Sequence, residues 1–207
     1  MQDIYEQGEA LYFGEEYAEA EPLLRRAAEE GHAHAPYRLG RCYQELGRLK
    51  EAVRWLRVAA ERGDPLAMND LALCLEDGDR AEAVVWMRRA AETGSQATAG
   101  YNLGIFLEED GNLQEAEYWY RQAVNCLYFP AARNRLALLL ELTDRDDEAE
   151  TWYRTALEEM AAREDPDDRD DDHEANTQIM LNLADLLERT GRPGEARDLR
   201  RHAADRH

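Results

Sequence analysis

The chain has 207 residues, 44% of them apolar, and carries 45 acidic against 25 basic residues for a formal net charge of −20. That length can bury a substantial core in one globule or in a repeat array, and that charge repels phosphate backbones and anionic lipid, which sets aside nucleic-acid and membrane-surface binding. The opening MQDIYEQGEA has neither a basic nor an apolar stretch, and the longest aliphatic run, Leu136 to Leu140, is far too short to cross a bilayer, so the chain reads as a soluble, cytoplasmic protein without a leader.

The predicted elements come in pairs along the chain. Residues 1–32 end on "AEPLLRRAAEEG" from Ala20; residues 33–64 hold "LGRCYQELG" from Leu39 and "AVRWLRVAAERG" from Ala52. Residues 65–95 hold "LALCLEDG" from Leu71 and "AVVWMRRAAETG" from Ala83, and residues 96–128 hold "LGIFLEEDG" from Leu103 and "AEYWYRQAVNCL" from Ala116. Residues 129–160 hold "LALLLELTD" from Leu136 and "AETWYRTALEEM" from Ala149. Residues 175–207 hold "LADLLERTG" from Leu183 and the more polar "ARDLRRHAADRH" from Ala196, a composition suited to a water-facing terminal repeat. The first alanines of the second phrases are 32, 31, 33, 33 and 47 residues apart, the last interval being one period plus an insertion. Both phrases carry apolar residues at helical spacing, so each repeat predicts two antiparallel helices, and the chain predicts one all-α domain, 1–207, of six antiparallel helix-pair repeats. The insertion, residues 161–174, contains "REDPDDRDDDHE" with eight carboxylates in twelve residues, and is expected to be a loop. As a calcium loop it lacks the central glycine; docking of a basic partner stands beside the solvated reading.

Punctuation agrees with this register. Gly14, Gly47, Gly78, Gly111 and Gly191 fall between paired helices, while Gly31, Gly63 and Gly94 end second helices. Pro36, Pro65, Pro130 and Pro193 stand at or near predicted helix starts, and Pro22 in a first turn. Gly8, Gly40, Ala72, Gly104, Ala137 and Ala184 share one place in the first helices, where small side chains let helix axes approach. Trp55, Trp86, Trp119 and Trp152 share one place in the second helices and read as packing between repeats rather than as a ligand stack. Arginine recurs at 25, 57, 88, 121, 154 and 201, preceded four residues earlier by Glu21, Glu117 or Glu150 in three repeats; this reads as a solvated ion-paired face or as a ladder for an acidic partner. "NCLYFPA", residues 125–131, puts apolar residues at a connection and reads as local packing or an exposed patch. Cys42, Cys74 and Cys126 each lie in an apolar periodic segment and read as buried thiols.

Leu39, Gly40 and Tyr43 in a first helix, with Ala52, Leu56 and Ala59 in the second, resemble the tetratricopeptide repeat family. The wording from Trp119 to Ala123 and Trp152 to Ala156, and "WLRVAA" at Trp55, is similar to its Sel-like branch, without the usual Sel-like insertion between helices. The resemblance implies a right-handed α-solenoid whose first helices line a concave groove. The implied groove residues are Tyr5, Tyr37, Asn69, Tyr101 and Asn134 at one place and Arg38, Asn102, Arg135 and Asn182 at the next, with Glu76, Glu108 and Glu141 in an acidic row beyond. Phenol and amide groups suit peptide recognition, although some of these tyrosines could equally pack between helices. The expected partner is a protein or peptide segment, basic or mixed in charge. The lysine and asparagine clamp that some family members use for carboxylate tails does not occur at the matching places.

No HExxH, GxSxG, phosphate-binding glycine loop or dinucleotide fingerprint occurs, and His32 and His34 have no ligand cluster beside them. The sequence therefore predicts no catalytic residues, no metal and no cofactor. The functional expectation is a non-catalytic interaction module, with a regulatory or sensor domain of a larger signalling protein as the alternative.

Overall fold

The second helices keep a single register. Ala20, Ala52, Ala83, Ala116, Ala149 and Ala196 are each the fourth residue of their helix, and each is fully buried. Trp55, Trp86, Trp119 and Trp152 are each the seventh. The structure, a computed structural model, describes residues 3–93, 97–126, 129–162 and 171–205. Among these residues there are twelve α-helices and no strand. They pair as α1 (Ile4–Phe13) with α2 (Tyr17–Glu29), α3 (Ala35–Glu45) with α4 (Leu49–Glu61), α5 (Pro65–Leu75) with α6 (Arg80–Thr93), α7 (Ala97–Glu109) with α8 (Leu113–Cys126), α9 (Pro130–Leu142) with α10 (Asp146–Ala161), and α11 (Asp171–Arg189) with α12 (Pro193–Ala204). The packing divides the chain into two compact units, Met1–Ala99 and Gly100–His207.

Three of the pairs, those of Gly8, Gly40 and Gly104, close on a notch. The small residue of the first helix receives a large residue placed fourth after the register alanine of the second. A Cβ added to Gly8 would lie 3.0 Å from Leu24, one added to Gly40 would lie 2.7 Å from Leu56 Cγ, and one added to Gly104 would overlap the Tyr120 ring. At Gly40 and Gly104 a Cβ would come closer than van der Waals contact allows, so close approach requires glycine there, while Gly8 sits at the edge of that limit. Around the notch, Leu39, Leu71, Leu103 and Leu136 are fully buried.

Five of the six turns within pairs share one C-cap. The N–H groups of Glu16, Arg48, Asn112, Arg145 and Arg192 donate to carbonyls five residues back at 2.7 to 2.9 Å. The residue before each donor is left-handed: Glu15, Gly47, Gly111, Asp144 and Gly191, with φ between 58° and 85°. At the first turn the positive φ thus falls on Glu15, since Gly14 has φ −81°. The turn at 76–79 is one residue longer, and Gly78 there is not left-handed.

Two expectations are corrected. Pro22 is the sixth residue of α2, beyond the first turn, and so removes the N–H that would reach the Ala18 carbonyl. The acidic segment 161–174 is not wholly loop: α10 runs through Ala161 and α11 starts at Asp171, so residues 171–174 are helical. Carboxylate-rich sequence suits a helix start, where the backbone presents positive charge. Residues 163–170, Gly94, and Leu127 and Tyr128 of "NCLYFPA" lie outside the described residues, as does the side chain of Cys126. Cys42 is buried, donates to the Tyr17 carbonyl at 3.2 Å, and has its thiol pKa pushed up to about 11 by burial. Cys74 is half-buried.

Candidate functional site, the first-helix faces

In unit 1, α1, α3 and α5 are joined by side chains at the expected groove places. Tyr5 is buried rather than presented. Its ring stacks on His32 at 4.0 Å and 17°, and its hydroxyl donates to Glu9 Oε1 at 2.6 Å. Burial and the Glu9 carboxylate raise the Tyr5 pKa to about 12. Glu9 also accepts from Arg38 at 2.8 and 3.1 Å, and these donors, the Tyr5 hydroxyl first, hold its own pKa down. The Arg38 guanidinium carbon lies 5.1 Å from the Tyr12 ring centroid and 4.8 Å from that of Phe13. Tyr37 is half-buried, and burial followed by the neighbouring Asp70 raises its pKa. Asn69 is buried and donates to Asp70 at 3.1 Å, and Asp70 accepts from Arg41 at 3.3 Å. Glu76 accepts from Arg80 at 3.0 Å.

In unit 2 the same places form a second set. Tyr101 is half-buried, with its ring centroid 5.0 Å from that of Phe129 and 6.0 Å from that of Tyr120. Asn102 is half-buried on α7. Asn182 donates to Asn134 at 2.9 Å and accepts from Gln178 at 2.8 Å, which ties α11 to α9. Arg135 lies 3.6 Å from Glu108. The acidic row is occupied from within. Glu108 accepts from the Tyr120 hydroxyl at 2.6 Å; Glu141 accepts from the Tyr153 hydroxyl at 2.5 Å and from Arg189 at 2.8 Å. Desolvation, followed by these carboxylates, pushes both phenols far above the ordinary tyrosine range, so they stay protonated donors at any working pH. Glu188, the next member of the row, pairs with Arg200 at 2.6 Å. Tyr120 and Tyr153 are buried and Arg200 holds the same register place half-exposed, each twelve residues after its carboxylate. That spacing is present in the sequence, yet the helical periodicity that marks the core gives no sign of it.

The second helices are tied by the recurring arginines. In unit 1, Arg57 of α4 forms an ion pair with Glu82 of α6, which also accepts the Trp86 indole N–H at 3.0 Å; Arg57 first and Trp86 second hold the Glu82 pKa at about 2. In unit 2, Arg121 reaches Glu148 at 2.9 Å, Arg145 reaches Glu117 at 2.8 Å, and Arg154 reaches Glu195 at 3.1 Å. Arg192 pairs with Glu150. Five of the six recurrent arginines, Arg25, Arg57, Arg121, Arg154 and Arg201, thus meet carboxylates of this chain rather than forming an open ladder, and three of them bridge one repeat to the next. Within unit 1 the buried Glu21 accepts from Arg25 and from the Tyr43 hydroxyl, while Arg48 lies 4.7 Å from the Tyr43 ring centroid.

Among the described residues no group of three or more His, Cys, Asp or Glu is placed to hold a metal ion, and no helix is long and apolar enough to cross a membrane. What the faces present is a set of phenol, amide and guanidinium groups fixed in place by neighbours. Such groups can hydrogen-bond an extended backbone and pack against side chains.

Comparison with known proteins agrees with this architecture. Tetratricopeptide repeat models match residues 14–71, 96–126 and 178–202, and a Sel1 repeat model matches residues 65–95. No curated protein matches the chain in sequence. Among solved structures, BtubC (BKLC) from P. vanneervenii is 16% identical with a TM-score of 0.75, over 100% of this chain and 91% of that one. MamA protein is 21% identical with a TM-score of 0.65, over 78% of this chain and 94% of that one. At such identities the likeness is one of fold alone.

Proposed function

Because the chain belongs to the tetratricopeptide repeat family, we propose that it is a non-catalytic interaction module that holds a peptide or protein segment on its first-helix faces, the lining of the groove that the family implies. The observation that carries this reading is preorganisation. Arg38 with Glu9 and Arg41 with Asp70 in unit 1, and Asn134 with Asn182 and Arg135 with Glu108 in unit 2, fix half-exposed polar groups on adjacent first helices before any ligand arrives. Less conformational entropy is then lost on binding. Tyr37, Tyr101, Asn102, Asn134 and Asn182 supply the backbone-directed contacts in this reading, while the buried Tyr5 and Asn69 serve to position Glu9, Arg38 and Asp70.

The net charge of −20 favours a basic or mixed-charge segment through long-range steering. Local pairing by the acidic row is a weaker argument, since Glu76, Glu108 and Glu141 each already have an internal donor. Affinity capture with mass spectrometry tests the reading. The double variant Tyr101→Ala/Asn102→Ala is expected to lose a specific partner while keeping its helical circular dichroism and a cooperative melt. Unchanged capture by that variant removes the unit 2 face from the proposal.

A further inference from the structure

We infer that the outward face of α4 and α6 in unit 1 binds an acidic, Asp/Glu-rich segment of a partner protein, held by Arg54 and Arg89. In a chain with 45 acidic and 25 basic residues, an arginine without a carboxylate is the exception. Elsewhere in unit 1, Arg25, Arg38, Arg41 and Arg57 all reach one. Arg54 and Arg89 are exposed, and among the described residues neither forms an ion pair. Each lies over a register tryptophan instead, Arg54 at 5.8 Å from the Trp55 ring and Arg89 at 4.3 Å from the Trp86 ring. A guanidinium on an indole face is held in orientation while the N–H donors around its edge stay open for a carboxylate fork. Two such groups occur on neighbouring second helices, which the Arg57–Glu82 pair ties together.

The surroundings sharpen the chemistry. Lys50, one turn before Arg54, and Arg62, just after α4, are also exposed and form no ion pair among the described residues. Glu61 and Glu92 share the face, so it is cationic but not a uniform basic patch. Val85, one turn before Arg89, is 56% exposed and offers an apolar contact beside the guanidinium. A short run of carboxylates carrying an apolar side chain fits this combination. A continuous phosphate backbone does not, because Glu61 and Glu92 interrupt the cations and the exposed Val85 offers it no partner.

The test uses the full chain and a fluorescein-labelled synthetic peptide of alternating Asp and Glu with one central Leu, followed by anisotropy at low and high salt. A lysine-rich peptide of equal length serves as the control. Saturable binding of the acidic peptide alone is expected, weakened at least tenfold by Arg54→Gln/Arg89→Gln and unaffected by Tyr101→Ala/Asn102→Ala, which separates this face from the first-helix reading. Circular dichroism melting confirms that both variants fold. Equal binding by the Arg54→Gln/Arg89→Gln variant, equal binding of the lysine-rich peptide, or no saturation at low salt overturns the proposal. Concentration-dependent self-association abolished by the same arginine variant would assign the face to a second copy of this chain, and also overturns it.

Discussion

The two units fill the same notch with different chemistry. In unit 1 the place opposite the small first-helix residue holds Leu24, Leu56 and Met87; in unit 2 it holds Tyr120, Tyr153 and Arg200. The aliphatic residues end inside the core. The phenols pass through it and donate to Glu108 and Glu141 on the first-helix face, whereas the half-exposed Arg200 meets Glu188 at the surface. Unit 1 has a buried phenol too, but Tyr43 points the other way, from a first helix to Glu21 on a second. One repeat position thus decides whether a carboxylate on the candidate binding face is anchored from the core. A repeat can change its face without touching a face residue.

The largest expected effect tests what the units share. Leu39→Ala in unit 1 and Leu136→Ala in unit 2 each remove a fully buried side chain, and each should cost about 2 to 5 kcal/mol. Thermal and urea melts check this, and a negligible loss for either would show that its unit lacks the common core. A smaller effect separates the notches. Gly104→Ala drives a methyl into the rigid, buried Tyr120 ring and should cost about 1 to 3 kcal/mol. Gly8→Ala meets Leu24 at 3.0 Å, where the strain is offset by about 1 kcal/mol of helix propensity, so its urea midpoint should barely move.

The tie between α4 and α6 should be visible in acid. The Glu82 pKa in the folded chain, about 2, lies below its ordinary value of 4.5, so the stabilisation it gives is complete above 4.5 and is lost as pH falls toward 2. Glu82→Gln should therefore be less stable than the parent by about 1 kcal/mol at pH 7 after solvent screening, with the gap closing between pH 4.5 and 2. A pH-independent difference would mean that the ion pair contributes nothing. The smallest effect is a gain: Glu15→Gly relieves a left-handed non-glycine residue at the first turn and should add about 0.5 to 1 kcal/mol.

The repeat was legible because its spacing is strict. A register alanine that stands fourth in all six second helices, and a tryptophan that stands seventh in four, can be aligned by eye. The face residues were legible as positions but not as interactions. Tyr5 reads as a binding phenol until its ring is found against His32, and Glu141 reads as an open carboxylate until Tyr153 is found beneath it. Those partners lie across a turn or in another repeat, and no 3.6-residue pattern connects them. Charge runs misled for a related reason. A stretch such as Asp171 to Glu174 cannot form a core, but it can begin a helix.

A double-mutant cycle on Tyr153 and Glu141 tests most directly the claim that the core of unit 2 anchors its face. Urea denaturation of the parent, Tyr153→Phe, Glu141→Ala and the double variant should give a coupling energy of about 1 to 2 kcal/mol, the value of a desolvated hydrogen bond to a charged acceptor. Additivity of the two single changes would contradict the account, because Glu141 would then be held by Arg189 and solvent alone.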